Sequence, residues 1–133
     1  MTADDPVLAS LELLDDDITR PVYERFARAC PQWAALMNHM DGYMLGRMMS
    51  DVLVLLMTPP AEIDRHYLSF EVDSHRAYGV TPDMFPPLLE AVRQTLQNTL
   101  GSRWTSAMDR AWRERIAALA EEIDNVAAAS IRP

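Results

Sequence analysis

Apolar positions along the chain recur mostly every three or four residues, the spacing of helices, and strand signals are few. The pattern predicts a short first helix over 7–14, ended by Asp15-Asp16-Asp17. Thr19 or Asp17 caps a second helix, which tolerates Pro21 in its first turn and carries Val22, Phe26 and Ala29 on one face. Pro31 closes that helix, and 32–37 reads as a short turn. The strongest segment, 43–57, has Met44, Leu45, Met48, Met49, Val52, Leu53, Leu55 and Leu56 on more than one face, which predicts a largely buried helix. Thr58-Pro59-Pro60 ends it. A fourth helix is expected over 61–78, with Ile63, Tyr67, Leu68 and Val72 inward and Gly79 as its stop. A fifth runs from Thr81-Pro82-Asp83 to Leu100, with Gly101 as terminator. Thr105 or Ser106 caps the sixth, in which Met108, Trp112, Ile116, Leu119 and Ile123 form a stripe. The expectation is an all-α chain of six to seven helices, folded as a single domain over 1–133.

Composition narrows the function. Hydrophobic residues make up 49% of the 133 and charged residues 24%, which supports a packed core and argues against a disordered tail. The formal net charge is −8. A nucleic-acid partner calls for a basic footprint, and an anionic membrane surface would repel this chain. All basic residues are Arg, a compositional habit rather than a functional signal. The single cysteine, Cys30, has no partner for an internal disulfide, which points to a reducing compartment. The N-terminus lacks the features of a signal peptide, and the aliphatic run Val52–Met57 is far short of the ~20 residues needed to span a bilayer. A cytoplasmic protein is expected.

Three histidines are available for chemistry. His39 falls in a polar turn and His66 stands beside Arg65. His75 differs, because it follows Leu68 and Val72 at +7 and +3 and so shares their apolar stripe. A histidine there is either a core residue bonded to backbone or a metal ligand. A protein zinc site takes three or four ligands, and no His-Glu-x-x-His or Cys-x-x-Cys is present. Haem needs only one protein ligand, since the macrocycle supplies four. The 43–57 helix, about 22 Å long at ~1.5 Å per residue, is long enough to cover one face of a macrocycle. Its methionines suit such a wall, although methionine stripes also pack ordinary cores.

Several segments carry a resemblance. Tyr23-Glu24-Arg25-Phe26 with Pro31, then Ser74-His75-Arg76-Ala77-Tyr78-Gly79-Val80 with Pro82 and Phe85, then Leu100-Gly101-Ser102-Arg103-Trp104-Thr105 with Ala111-Trp112, occur in one order. Together they resemble bacterial single-domain globins of the flavohaemoglobin type, from about Leu11 to Ile123. The resemblance implies a globin-like fold with a shortened loop before the distal helix, and haem b as cofactor. It makes His75 the proximal iron ligand and Tyr23 the distal tyrosine whose hydroxyl donates to bound oxygen. Val80, Phe85 and Leu88 would line the proximal side or floor, and Arg76 and Arg47 are candidate propionate partners. Met37 stands where globins place a haem-packing phenylalanine. The distal helix offers Leu45 and Met49 in one register, or Met44 and Met48 in the other, with no distal His or Gln in either. That departs from oxygen-storage globins, and a methionine or His39 is available to close the sixth position.

The resulting expectation is a haem globin that reversibly binds oxygen, nitric oxide or carbon monoxide, for gas binding, sensing or nitric oxide detoxification. An inward Tyr23 would favour oxygen, and an outward one nitric oxide and carbon monoxide. Nitric oxide dioxygenation would need an external reductase, because only ten residues follow Ile123. The alternative is a haem-free globin-like module for protein contact or regulation. A hydrolase built on Asp73-Ser74-His75 has little support, because adjacent helical residues point apart. The alanine-rich last helix suits a monomer or a homodimer.

Overall fold

The computed structural model describes residues 5–36 and 40–131. Among the described residues there are seven α-helices and no strands. They are α1 (Pro6–Glu12), α2 (Thr19–Ala29), α3 (Pro31–Leu36), α4 (Gly42–Met57), α5 (Arg65–Ala77), α6 (Phe85–Leu100) and α7 (Ser106–Ile131).

Short side chains start most of these helices by accepting from otherwise orphaned first-turn N–H groups. Asp5 accepts from Val7 N at 3.0 Å, Asp17 from Thr19 N at 2.9 Å and Asp41 from Met44 N at 2.8 Å. Asp64 accepts from His66 N at 2.9 Å, and Thr105 Oγ1 accepts from Met108 N at 3.0 Å.

Three expectations are corrected here. Residues 32–36 belong to a helix, α3, rather than a turn. Pro31 does close α2, whose last residue is Ala29, by holding Cys30 out of the helical region, and it also opens α3, because a proline at the first helical position gives up an N–H that would be unpaired anyway. The fourth predicted helix is divided. Pro60–Glu62 makes one 3-10 turn, and α5 starts afresh behind the Asp64 cap. The third correction concerns α4, which is much less buried than its composition suggested. Only Met49 and Leu56 are buried, whereas Tyr43 is 73% and Val54 57% exposed. Ala29 on α2 and Tyr67 on α5 are likewise exposed rather than inward.

The core centres on α6, which packs between α2 and α7; α1 and α5 also lie on α7. Leu88, Leu89, Ala91, Val92, Leu96 and Leu100 of α6 are buried against Val22, Phe26, Trp112, Leu119 and Ile123. The predicted α7 stripe is inward, with Ile116 partly covered. Trp112 is fully buried and donates Nε1–H to Ser10 Oγ at 2.8 Å, joining α7 to α1. Ser10 in turn donates to Val7 O at 2.7 Å, so this buried polar pair is satisfied.

Two arginines fasten the helices. Arg93, buried in α6, donates to Glu90 and Gln97 of its own helix and to Asp109 of α7 at 2.8 Å. Arg115 of α7 donates to Asp5 at the start of α1 and to the main-chain oxygen of Leu56 near the end of α4. That oxygen lies in the last turn, where helix carbonyls lack intrahelical partners. An arginine thus clamps the C-terminal end of α4, and Met48, Asp51, Val52 and Leu55 of the same helix line one wall of a crevice.

Candidate ligand crevice

The crevice lies chiefly between α4 and α5. Met48, Asp51, Val52 and Leu55 come from α4, and Tyr67, Leu68, Glu71, Val72 and His75 from α5. Its floor is Leu88 and Leu89 of α6 and Leu119 and Ile123 of α7, with Met84 just before α6; Phe26 and Trp33 also line it. The cavity volume of the crevice is about 80 Å³.

His75 arrives in the crevice because α5 repeats its inward face at Leu68, Val72 and His75. Its Nδ1 donates to the main-chain oxygen of Glu71 at 2.7 Å. A carbonyl only accepts, so the proton is on Nδ1, and Nε2 is the nitrogen that can take a metal. The Glu71 carboxylate stands 3.8 Å from the same Nδ1. Phe85 meets the imidazole edge-on, with ring centroids 5.7 Å apart. The backbone hydrogen bond and the aromatic contact together fix the orientation of the imidazole.

The chain turn after α5 delivers the next lining residue. Gly79 has φ +93°, which a residue with a side chain rarely adopts, and a Cβ there would lie 3.4 Å from Leu36 of α3. The turn closes with Val80 N donating to His75 O at 3.0 Å. Val80 therefore sits directly below the histidine's own turn.

Of the residues singled out in the sequence, His75, Met48, Val80, Phe85 and Leu88 share this crevice. Tyr23, Leu45 and Met49 are not among its lining residues. Tyr23 is buried, stacks on Trp33 with ring centroids 5.1 Å apart, and donates its hydroxyl to the Leu45 carbonyl at 3.2 Å. Burial, with the Asp51 charge, pushes its phenol well above the ordinary range. Tyr23 and Leu45 line a second, more open depression of about 620 Å³, with Asp17, Arg20 and Glu24. Met49 is in the core. Met37 and His39 lie outside the described residues. His66 is exposed in the first turn of α5.

Sequence reasoning names none of the lining residues Trp33, Asp51, Glu71, Met84 and Leu89, and gives Tyr67 no part in the site. Trp33 is hidden because the 32–37 segment reads as a turn. Asp51 and Glu71 look like ordinary solvated helix acids. Tyr67 was placed inward as packing, yet it stands 41% exposed at the opening. Its phenol is raised by partial burial and by the Glu71 and Asp51 charges, so both carboxylates act on that opening.

Among the described residues, no three His, Cys, Asp or Glu side chains are placed to hold a metal ion. No helix there is long and apolar enough to cross a membrane. The donor set is thus one oriented imidazole in an apolar slot. It fits a metal carried by a macrocycle, and it does not fit a bare ion. The slot's cavity volume is below the roughly 300–1,000 Å³ usual for small-molecule sites, so a macrocycle enters it only if the walls move apart.

A family model described as Globin matches residues 49–123, more than half of the chain. The match takes in His75, Val80, Phe85 and Leu88 and leaves out Tyr23, Leu45 and Met48. No curated protein matches the chain.

Proposed function

Because the chain belongs to the globin family, we propose that it binds haem b in the α4–α5 crevice and takes up a diatomic gas reversibly, with His75 as the sole protein ligand. The observation that carries this reading is the imidazole itself: anchored through Nδ1 to Glu71 O, it commits Nε2 to an otherwise apolar slot. Haem, when bound, supplies the iron that takes the gas.

The chain's own residues then set the surroundings. Phe85 keeps the imidazole from rotating, and Val80 and Leu88 exclude water beside it. On the opposite wall α4 presents Met48, Val52 and Leu55, none of which has an N–H or O–H to donate from its side chain. The Tyr23 hydroxyl is engaged with Leu45. A gas that needs a hydrogen-bond donor to be held tightly gains little here, and this favours nitric oxide and carbon monoxide over oxygen.

The second reading, a haem-free interaction module, draws support from the small enclosed volume and the exposed apolar face of α4 at Tyr43, Met44 and Val54. Absorption spectra of the full chain expressed with haem supply separate the two. The first reading requires a strong Soret band that shifts with carbon monoxide and is lost in His75→Ala, with recovery on adding imidazole. A colourless full chain, or a band unchanged in His75→Ala, overturns it.

A further inference from the structure

Among the described residues, the lining of the crevice contains no arginine. Its polar side chains are His75, Asp51, Tyr67 and Glu71, with the two carboxylates and the phenol at least partly exposed. Leu68, Val72, Leu88, Leu89, Leu119 and Ile123, by contrast, are buried. The opening is therefore marked by two acids and a tyrosine. A haem carries two carboxylate side chains of its own. They cannot be sunk among leucines without a large desolvation cost, so they must lie at the opening. The two arginines named as propionate candidates stand elsewhere. Arg47 is exposed on α4 and Arg76 lies 3.8 Å from Asp73; neither lines the crevice.

Resting on the haem reading above, we propose that Asp51 and Glu71 act as specificity residues against the carboxylates of the macrocycle, so that the crevice favours a porphyrin with neutral edge groups. Like charges held near one another at a half-exposed rim repel, and the repulsion weakens with added salt. The overall charge of −8 adds a diffuse repulsion, which any surface acid shares. The local contribution is what distinguishes positions 51 and 71.

The test uses the haem-loaded full chain and follows loss of haem to an excess of a scavenging apoprotein. Asp51→Asn should slow the loss about threefold, and Asp51→Asn with Glu71→Gln about tenfold. Asp15→Asn, a neutralised acid in the α1–α2 connector, should leave the rate unchanged. Asp51→Asn also stands apart from the His75 ring, which Glu71→Gln touches. Raising the salt to about 0.5 M should slow loss from the original chain more than from the double variant. With haem dimethyl ester in place of haem, the double variant and the original chain should release at the same rate. Equal rates with haem for the original, single and double variants overturn the proposal while leaving the haem reading intact. So does an equal slowing by Asp15→Asn. Failure of every variant to take up either compound overturns the haem reading, and this inference with it.

Discussion

The Tyr23 hydroxyl donates to the main-chain oxygen of Leu45 at 3.2 Å, a bond between α2 and the first turn of α4. It spends on the scaffold a donor that the family resemblance would have aimed at the bound gas. Tyr23→Phe removes the hydroxyl and keeps the ring stacked on Trp33. The expected result is a loss of about 0.5–1.5 kcal/mol in unfolding free energy, the usual worth of one such bond. The rate of oxygen dissociation should change less than twofold. Stopped-flow oxygen release decides the point, since a tenfold acceleration would place the hydroxyl in the crevice after all.

The buried pair Trp112–Ser10 carries a second expectation. Ser10→Ala leaves the indole N–H of a fully buried tryptophan without its acceptor. Stranding a buried donor costs roughly 1–3 kcal/mol. Trp112→Phe loses the same bond from the other side and some packing as well. Denaturant titrations of the two single variants and the double should show the double to be less destabilised than the sum, because both remove one interaction.

Asp109 makes stability depend on acid. Its carboxyl accepts from Arg113 Nε at 2.8 Å, which lowers it most, with further lowering from Trp104 and from the charges of Arg113 and Arg93; burial opposes this. The folded-state value is below the ordinary 3.8, so the unfolded chain takes up a proton first as pH falls. The stabilisation is complete above about pH 4 and is lost as pH drops through the lower folded-state value. The stability difference between the original chain and Asp109→Asn should therefore be constant near neutrality and shrink below that point. Urea unfolding at a series of acidic pH values measures it; a gap that widens on acidification contradicts the assignment.

How far the sequence disclosed this arrangement depends on what each residue's neighbours are. Leu68, Val72 and His75 were legible as one face because all three lie on a single helix. The stripe on α7 was legible for the same reason. The α3 helix was not, since Pro31 is equally compatible with stopping α2 and with opening the next helix. Periodicity along α4 showed apolar residues without showing whether a helix or a crevice faces them. Asp51 and Glu71 come from separate helices, α4 and α5, and share one crevice lining only in the fold. The contact of Arg93 with Asp109 joins separate helices and left no pattern along the chain. The Globin match, which starts at Met49, likewise gives no information on Tyr23.

The wall opposite His75 offers the most direct control of gas preference. Met48 lines the crevice from α4 and carries a thioether, which accepts weakly and donates nothing. Met48→Gln preserves chain length and helix propensity and adds an amide N–H₂ on the same wall. A single donor worth about 1.4 kcal/mol would slow oxygen dissociation about tenfold. Carbon monoxide, with little charge to be met, should respond less than threefold. The ratio of the two affinities in Met48→Gln against the original chain, read by flash photolysis and rapid mixing, is the informative quantity. An increase in favour of oxygen shows that the α4 wall at 48 faces the bound gas. An unchanged ratio, with haem retained, puts Met48 away from the gas and requires a different face of α4 to form the distal side.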